Sequence, residues 1–186
     1  MQEVRTADLF FVLTGGPGSG KTTLIEALEA AGFARSQEAG RAIIRDQVAS
    51  GGNALPWGDR AAFADAMLAF ELQEYQSAQA HAGPVFFDRA LPDIVGYRRL
   101  CALPIPEALD RACRAFRYHA RVFIAPPWPD IFVQDAERKQ TLAEAERTYE
   151  AMVAAYTGYG YTLVTLPCAS VSERVRFVRS FLPSAE

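Results

Sequence analysis

The residues best suited to chemistry form a glycine-rich segment near the start of the sequence. It matches the spacing G-x-x-x-x-G-K-[ST] and reads Gly15-Gly16-Pro17-Gly18-Ser19-Gly20-Lys21-Thr22. Glycines let backbone N–H groups approach phosphate oxygens closely, and the dipole of a following helix favours negative charge at the same point. A lysine there neutralises the outer phosphates, and the next hydroxyl ligates Mg²⁺. The spacing predicts a site for a Mg²⁺-nucleotide, which we expect to be ATP.

The surroundings of this segment fit the same interpretation. The apolar run 9–13 predicts a strand before it, and residues 22–31 predict a helix after it, which Gly32 can close in a left-handed conformation. A strand, a loop and a helix in this order are the context that the phosphate-binding pattern requires. We include Ser19 and Thr23 among the residues that contact the nucleotide.

The lysine of this segment stands out against the rest of the sequence. Only Lys21 and Lys139 are lysines, and every other basic side chain apart from histidine is an arginine. The choice of lysine at position 21 indicates that a compact ammonium group is required there. We expect Lys21 to face solvent when no nucleotide is bound.

A second candidate, Asp88, follows the apolar run 84–87. Parallel sheets bind ligands at the carboxyl ends of their strands, so a carboxylate there could hold Mg²⁺ directly or through water, as a Walker-B-type residue. The alternative is a surface aspartate that begins the next turn. The neighbouring Arg89 could pair with Asp88 or reach a phosphate.

Strand-like and helical runs alternate along the chain, which predicts an α/β domain with a parallel sheet. The predicted strands are 9–13, 33–37, 84–87, 121–125 and 161–166. The predicted helices are 22–31, one that follows Glu38, 59–80, and two that start at the capping-box residues Thr141 and Ser170. Prolines at 126, 127 and 129 interrupt regular structure, so we place a lid at about residues 127–147.

Composition limits the class of protein. Hydrophobic residues make up 50% of the 186 residues and charged residues 22%, which is typical of one globular domain covering residues 1–186. No apolar run is long enough for a membrane span, and the first residues lack a signal-peptide pattern, so we expect a cytoplasmic protein. The net charge of -3 and the scattered arginines argue against nucleic acid as a partner.

The cysteines and histidines show no spacing typical of chemistry. The three cysteines are far apart, which predicts reduced thiols rather than a disulfide framework or a metal site. His81 and His119 are isolated, and we interpret both as structural.

Together these motifs resemble the AAA-type P-loop domain that forms the ribosylnicotinamide kinase part of bifunctional NAD-biosynthesis regulators. The resemblance covers nearly the whole chain and lies in the segments FFVLTGGPGSGKTTLIEAL, QEAGRAII, VFFDRALPDIVGY, PPWPDIFVQDAERK and GYTLVTLPCASVSERVRFV. It implies a three-layer α/β P-loop NTPase fold. Such a fold has a kinase-like sheet of five parallel strands, helices on both faces and a helical lid after the fourth strand.

The resemblance also implies roles for residues near the second strand. By similarity to deoxynucleoside and ribosylnicotinamide kinases, Glu38 is a candidate base for a substrate hydroxyl, and Arg41 could orient it or contact the substrate. The alternative is that Glu38 is only an acidic residue in the first turn of a helix, where it stabilises the helix dipole.

In the lid, Asp135 and Arg138 resemble a motif whose arginine closes on the transferred phosphate. Lys139 and Arg147 could assist, or could be solvated charges on a helix. The resemblance does not identify the acceptor substrate, because no set of residues that would recognise nicotinamide or a nucleobase can be matched in this sequence. The candidates for an acceptor pocket are Trp57, Arg60, Gln73 and Tyr97, each equally plausible as packing or surface.

Two functions remain open. The first is an ATPase or kinase that transfers the γ-phosphoryl group of ATP to an unknown small acceptor, with Lys21, Glu38, Asp88 and Arg138 as catalytic residues and Thr22 and Asp88 as Mg²⁺ ligands. The second is a nucleotide-dependent switch with slow hydrolysis. GTP is disfavoured because no [NT]-K-x-D motif occurs, an ABC ATPase because no LSGGQ-like segment occurs, and a ring-forming AAA+ motor because no helical domain follows Pro183.

Overall fold

A five-stranded parallel sheet forms the centre of the computed structural model, which describes residues 6–131 and 141–183. Its strands are β1 (Phe10–Gly15), β2 (Ala34–Arg35), β3 (Val85–Asp88), β4 (Arg121–Ala125) and β5 (Thr162–Thr165). They lie in the order β2-β3-β1-β4-β5, and every neighbouring pair is parallel. The glycine-rich segment follows β1, so it lies in the middle of the edge where parallel sheets bind ligands.

Helices cover both faces of the sheet. Among the described residues they are α1 (Lys21–Ala30), α2 (Ala39–Ser50), α3 (Arg60–Ala78), α4 (Leu91–Leu100), α5 (Glu107–Ala115), α6 (Leu142–Gly158) and α7 (Val171–Arg179). Short 3-10 helices span Thr6–Leu9 and Pro129–Ile131. The result is the three-layer α/β arrangement that the sequence predicts.

The two faces of the sheet carry separate hydrophobic clusters. Phe10 and Val12 of β1 point to one face, which α3, α4, α5 and α6 cover. Phe11 and Leu13 point to the other, which α1 and α7 cover. Because β1 is covered on both faces, its sequence is continuously apolar rather than alternating. Each fully buried Phe or Leu contributes about 1.5–3 kcal/mol relative to an exposed one.

The helix starts follow the predicted capping chemistry. The Thr141 and Ser170 hydroxyls each accept a hydrogen bond from the backbone N–H three residues later. The carboxylates of Glu144 and Glu173 accept one from the backbone N–H of Thr141 and Ser170, which completes both predicted capping boxes. Asp59 caps α3 by accepting from the N–H of Ala62 at 2.9 Å. Local side-chain chemistry therefore sets where three of the helices begin.

The sequence did not predict α4 and α5. Both are short helices of 10 and 9 residues, and the predicted strands at 84–87 and 121–125 bracket them. The irregular stretch after β4 is confirmed as far as the 3-10 helix that ends at Ile131. The predicted lid residues Asp135, Arg138 and Lys139 lie outside the described residues.

Within the described ranges, no helix combines the length and the apolar character that a membrane span would require. All three cysteines are free thiols, as predicted. Burial raises the pKa of Cys113 to about 12.

Candidate functional site

The loop that joins β1 to α1 is compact and packs closely against β4. Gly15 has a φ of 131°, and a Cβ atom built on it would lie 2.4 Å from the carbonyl oxygen of Ala125 in β4. The Ser19 hydroxyl donates to the Gly16 carbonyl at 2.7 Å across the turn. The N-cap residue of α1 is Gly20, which has no side chain to cap the helix. The first N–H groups of the helix are therefore available to an anion.

Lys21 is buried in this loop, with 8% of its surface exposed, so the expectation that it faces solvent is wrong. Its ammonium group donates to the Gly16 carbonyl at 3.1 Å, which folds the side chain back under the turn. Burial and the nearby Arg89 charge lower the pKa of Lys21 to about 8, against the opposing effect of Asp88, Glu38 and Asp93. Within the part of the chain that the structure describes, the ammonium has one hydrogen-bond partner, the neutral Gly16 carbonyl, which an anionic ligand can replace.

Asp88 ends β3 beside Leu13 of β1 and is 5% exposed, so it is not a surface residue. Its backbone N–H donates to the Ser36 hydroxyl at 3.1 Å, and its Oδ1 has no hydrogen-bond partner among the described residues. Burial raises the pKa of Asp88, although the Lys21 charge opposes the shift. A buried carboxylate oxygen without a partner, at the ligand-binding edge of the sheet, suits a bound cation.

Arg89 links two carboxylates of the site, those of Asp93 and Glu38. Its backbone is in the left-handed region with a φ of 71°, and its N–H donates to the Leu13 carbonyl at 3.0 Å. The guanidinium donates from Nη1 to Asp93 Oδ1 at 3.2 Å, and its Nε lies 3.7 Å from Glu38 Oε1. Burial lowers the pKa of Arg89, but the carboxylates of Asp93, Glu38 and Asp88 outweigh burial and raise it. Among the described residues the ion pairs of Arg89 are with Asp93 and Glu38 rather than with Asp88, and contact with a phosphate stays a prediction.

Glu38 is the N-cap residue of α2, but its side chain makes no capping hydrogen bond. One carboxylate oxygen pairs with Arg41 Nε at 2.8 Å, and the other faces Arg89. The Glu38 side chain is 23% exposed and that of Arg41 is 55% exposed. The Glu38 carboxylate therefore lies between Arg41 of its own helix and Arg89 at the end of β3.

Asp93 is a site residue that the sequence analysis missed. Its carboxylate accepts hydrogen bonds from the Thr14 and Tyr156 hydroxyls, the Ala90 N–H and the Arg89 guanidinium. These contacts join β1, α4 and α6 beneath the phosphate loop. An acidic residue three positions after Ala90, in the proline-containing first turn of a helix, is a capping signal that could have identified it.

The four candidate acceptor residues differ in exposure. Trp57, Arg60 and Gln73 are exposed, and the Arg60 guanidinium donates to the Pro56 carbonyl. Tyr97 is half-buried and packs edge-to-face on Phe63, with ring centroids 5.5 Å apart.

Other predicted residues lie apart from the loop chemistry. Arg147 is exposed on α6, although Ala145 in the same helix lies against the loop, its carbonyl oxygen 2.5 Å from a Cβ built on Gly16. His81 is exposed, and His119 stacks on Phe11 at 4.4 Å. Within 6–131 and 141–183, no group of three or more His, Cys, Asp or Glu side chains could hold a metal. A Mg²⁺ ion would depend on Asp88, the Thr22 hydroxyl and the nucleotide itself.

Similar structures support the fold. The chain superposes on a NadR protein solved in complex with NAD and AMP-PNP with a TM-score of 0.68 and 16% identity, covering 97% of this chain and 51% of that one. It superposes on a thymidylate kinase from Ehrlichia chaffeensis with a TM-score of 0.61 and 16% identity, covering 94% and 97%. For a deoxyadenosine kinase from M. mycoides the TM-score is 0.61 and the identity 12%, covering 92% and 97%. The chain thus spans about half the length of the NadR protein.

The sequence comparisons add a family. No curated protein matches the sequence. A family model described as an AAA domain, AAA_28, matches residues 10–174, which include the phosphate loop, Asp88, Asp93 and nearly all of the described elements. Since the match covers most of the sequence, the chain belongs to the AAA_28 family of AAA domains.

Proposed function

We propose that the protein binds Mg²⁺-ATP and transfers its γ-phosphoryl group to the hydroxyl of a small nucleoside-like acceptor. The proposal rests on one observation: charged side chains from the ends of three neighbouring strands lie close together. Glu38 follows β2, and Asp88 and Arg89 lie at the end of β3. All three lie beside Lys21, in the loop after β1. Phosphoryl transfer requires a phosphate cradle, a metal-binding carboxylate and a group that positions the attacking hydroxyl. The kinase-like neighbours support the same class of reaction.

The phosphate loop would bind the triphosphate. The uncapped N–H groups of α1 and the Lys21 ammonium would hold the β- and γ-phosphates, because both sources of positive charge lie within the loop. The Thr22 hydroxyl and Asp88 would hold Mg²⁺, which when bound neutralises charge that develops on the phosphates. The unpartnered Oδ1 of Asp88 supports this placement.

Glu38 would accept the proton of the acceptor hydroxyl, and Arg89 would orient Glu38. Asp93 would position Arg89 in turn, because it is tied to Thr14 and Tyr156 on the opposite side. We further propose that Arg138 closes over the γ-phosphate from a lid at about residues 127–147, in one domain of residues 1–186. The acceptor would enter from the β2 and β3 side, where Glu38 and Arg41 lie.

The test is transfer from γ-labelled ATP to a panel of nucleosides and ribosyl-pyridines, with wild-type protein and Glu38→Gln. We expect one acceptor class to give turnover well above the water background. Glu38→Gln should lower kcat by about 10²–10⁴-fold, the usual contribution of a positioned base, and leave ATP affinity nearly unchanged. Glu29→Gln, which removes an exposed surface ion pair with Arg35, is the matched control.

If no acceptor exceeds the water background, the kinase proposal is wrong. Tight nucleotide affinity, negligible turnover and a partner recovered in only one nucleotide state would then favour the switch.

A further inference from the structure

Three successive contacts connect Tyr156 of α6 to the proposed base, Glu38. The Tyr156 hydroxyl donates to Oδ2 of Asp93, and the Arg89 guanidinium donates to Oδ1 of the same carboxylate. Arg89 Nε then lies 3.7 Å from Glu38 Oε1. The position of Glu38 at the start of α2 is therefore linked to a side chain of another helix.

Close packing of α4 and α6 brings the Tyr156 hydroxyl to Asp93. Gly96 lies three residues after Asp93 in α4, and Met152 lies four residues before Tyr156 in α6. Residues three or four positions apart share one face of a helix. A Cβ built on Gly96 would lie 2.7 Å from Met152 Cε, so the missing side chain lets the helices approach. The contact of Gly96 with Met152 therefore holds together the two faces that carry Asp93 and Tyr156.

Each oxygen of the Asp93 carboxylate accepts two hydrogen bonds. Oδ1 accepts from the Thr14 hydroxyl and from Arg89 Nη1 at 3.2 Å. Oδ2 accepts from the Tyr156 hydroxyl and from the Ala90 N–H at 2.9 Å. Asp93 is only 5% exposed, so water does not readily replace a lost donor. The loss of one donor would let the carboxylate turn toward the other three, and Arg89 would shift with it.

Tyr156 is held in place as a donor to Asp93. Its side chain is completely buried, and its ring packs edge-to-face on Tyr161 with centroids 5.6 Å apart. Burial and the Asp93 charge raise the pKa of Tyr156 well above 10, so the hydroxyl keeps its proton at neutral pH.

Thr14 connects the same carboxylate to the phosphate loop. It lies in β1 directly before Gly15, and its hydroxyl donates to the Asp93 oxygen that Arg89 also binds. That one oxygen therefore fixes Arg89 relative to the strand from which the phosphate loop begins. Phosphoryl transfer requires the attacking hydroxyl and the γ-phosphate in line, and a misplacement of about 1 Å can cost about 10²-fold in rate.

We propose that Tyr156 and Thr14 are positioning residues for phosphoryl transfer. Together they fix the Asp93 carboxylate, which through Arg89 sets the distance between the phosphate loop and Glu38. This inference rests on the proposed transfer reaction. It extends that reaction to two hydroxyl groups that act through Asp93 rather than on a substrate.

The first test removes the Tyr156 hydroxyl alone. Tyr156→Phe should lower kcat by about 10- to 100-fold for transfer from γ-labelled ATP to the most active compound of a panel of nucleosides and ribosyl-pyridines. Its Kd for Mg²⁺-ATP, measured by calorimetry, should stay at the wild-type value, because the phosphate loop keeps its own contacts. Tyr161→Phe is the matched control and should keep the wild-type kcat. It removes a buried hydroxyl from the same hydrophobic cluster, one that accepts from the Tyr118 N–H.

A double mutant tests whether Tyr156 acts through Glu38. If it does, Tyr156→Phe should cause no further loss of kcat when Glu38 is already replaced by Gln. Losses that multiply in the double mutant would show that Tyr156 acts by another route and would overturn the inference.

The Thr14 hydroxyl is tested by a pair of variants. Thr14→Val keeps the shape of the side chain and removes the donor, so it should lower kcat as Tyr156→Phe does. Thr14→Ser keeps the donor and should restore most of the activity. Equal losses in both variants would mean that the methyl group matters and the hydrogen bond to Asp93 does not.

An NMR measurement on the apoprotein follows Arg89 itself. Its side-chain N–H groups should exchange with water faster in Tyr156→Phe than in wild type or Tyr161→Phe. If the wild type transfers phosphate but Tyr156→Phe changes neither kcat nor this exchange, only the positioning inference is wrong. If no compound of the panel accepts phosphate from the wild type, the proposed function is wrong, and the positioning inference fails with it.

Discussion

Burial changes the chemistry of single residues around the phosphate loop. The same loss of water lowers the pKa of Lys21 and raises that of Asp88. Neither charge is ion-paired within the described residues at the distance of a salt bridge. Both shifts favour the neutral form when no ligand is bound, so a bound Mg²⁺-triphosphate would reverse them.

The substitution Lys21→Met is expected to lower ATP affinity without lowering the stability of the folded protein. Since the folded-state pKa of about 8 lies below the ordinary 10.5, the charged lysine costs stability below pH 8, and that cost is relieved as pH rises from 8 to 10.5. We expect Lys21→Met to lose most ATP affinity, yet to be at least as stable as the wild-type apoprotein at pH 7. Urea unfolding and calorimetry measure the two effects. A large loss of stability at pH 7 would contradict the assignment.

The residues of the loop could be predicted from sequence because their spacing is local. Positions 15–22 follow one another and act through one turn. The contacts of Asp93 with Thr14 and of Arg174 with Gly20 could not be found in this way, because they span 79 and 154 positions. The local capping signal marks Asp93 but not its partner on β1. Such contacts depend on the packing of α4 and α7, which no local pattern encodes.

At the scale of elements, β1 and β4 approach so closely at the loop that only glycine fits. The carbonyl of Ala125 occupies the space where a side chain of residue 15 would begin. The predicted ends of all five strands agree with the structure to within two residues. In the four apolar strands, glycine, proline or a charged residue follows the run closely and ends it. The weaker β2, at one edge of the sheet, is only two residues long, at Ala34–Arg35.

Gly15→Ala tests the approach of these two strands. Both a φ of 131° and a Cβ 2.4 Å from a backbone oxygen oppose the substitution. We expect destabilisation beyond the about 1–3 kcal/mol that an unusual backbone conformation costs, because β4 must also move. Gly32→Ala is the control, since Gly32 has a φ of 93° but no atom within 4 Å of a built Cβ. Equal losses for the two variants in urea unfolding would show that the contact with Ala125 contributes nothing.

At the scale of the whole molecule, the order of the strands decides what meets at the site. The sequence predicts five parallel strands but not that β1 lies between β3 and β4. That order places the carboxylates of β2 and β3 on one side of the loop and the side chains of Trp128 and Arg174, which contact each other, on the other. The helices that cover the sheet also bury a carboxyl group of α3, Glu71.

Glu71 should make the stability of the whole fold depend on pH. It is 2% exposed, and its Oε2 has no partner among the described residues. Burial, followed by the charges of Asp93, Glu74 and Asp88, raises its pKa well above 4.5. A raised folded-state pKa gives stability that is complete below pH 4.5 and is lost as pH rises toward the folded value, by at most about 1.4 kcal/mol per pH unit.

Glu71→Gln keeps the shape of the side chain and removes this titration. We expect the variant to gain stability relative to wild type as pH rises from 4.5, measured by urea unfolding at several pH values. Exposed Glu150→Gln is the control and should follow the wild-type curve. Parallel curves for wild type and Glu71→Gln would mean that the buried carboxyl group is ionised at no cost. In that case a cation or bound water would have to lie beside its Oε2, because a buried carboxylate needs a compensating partner.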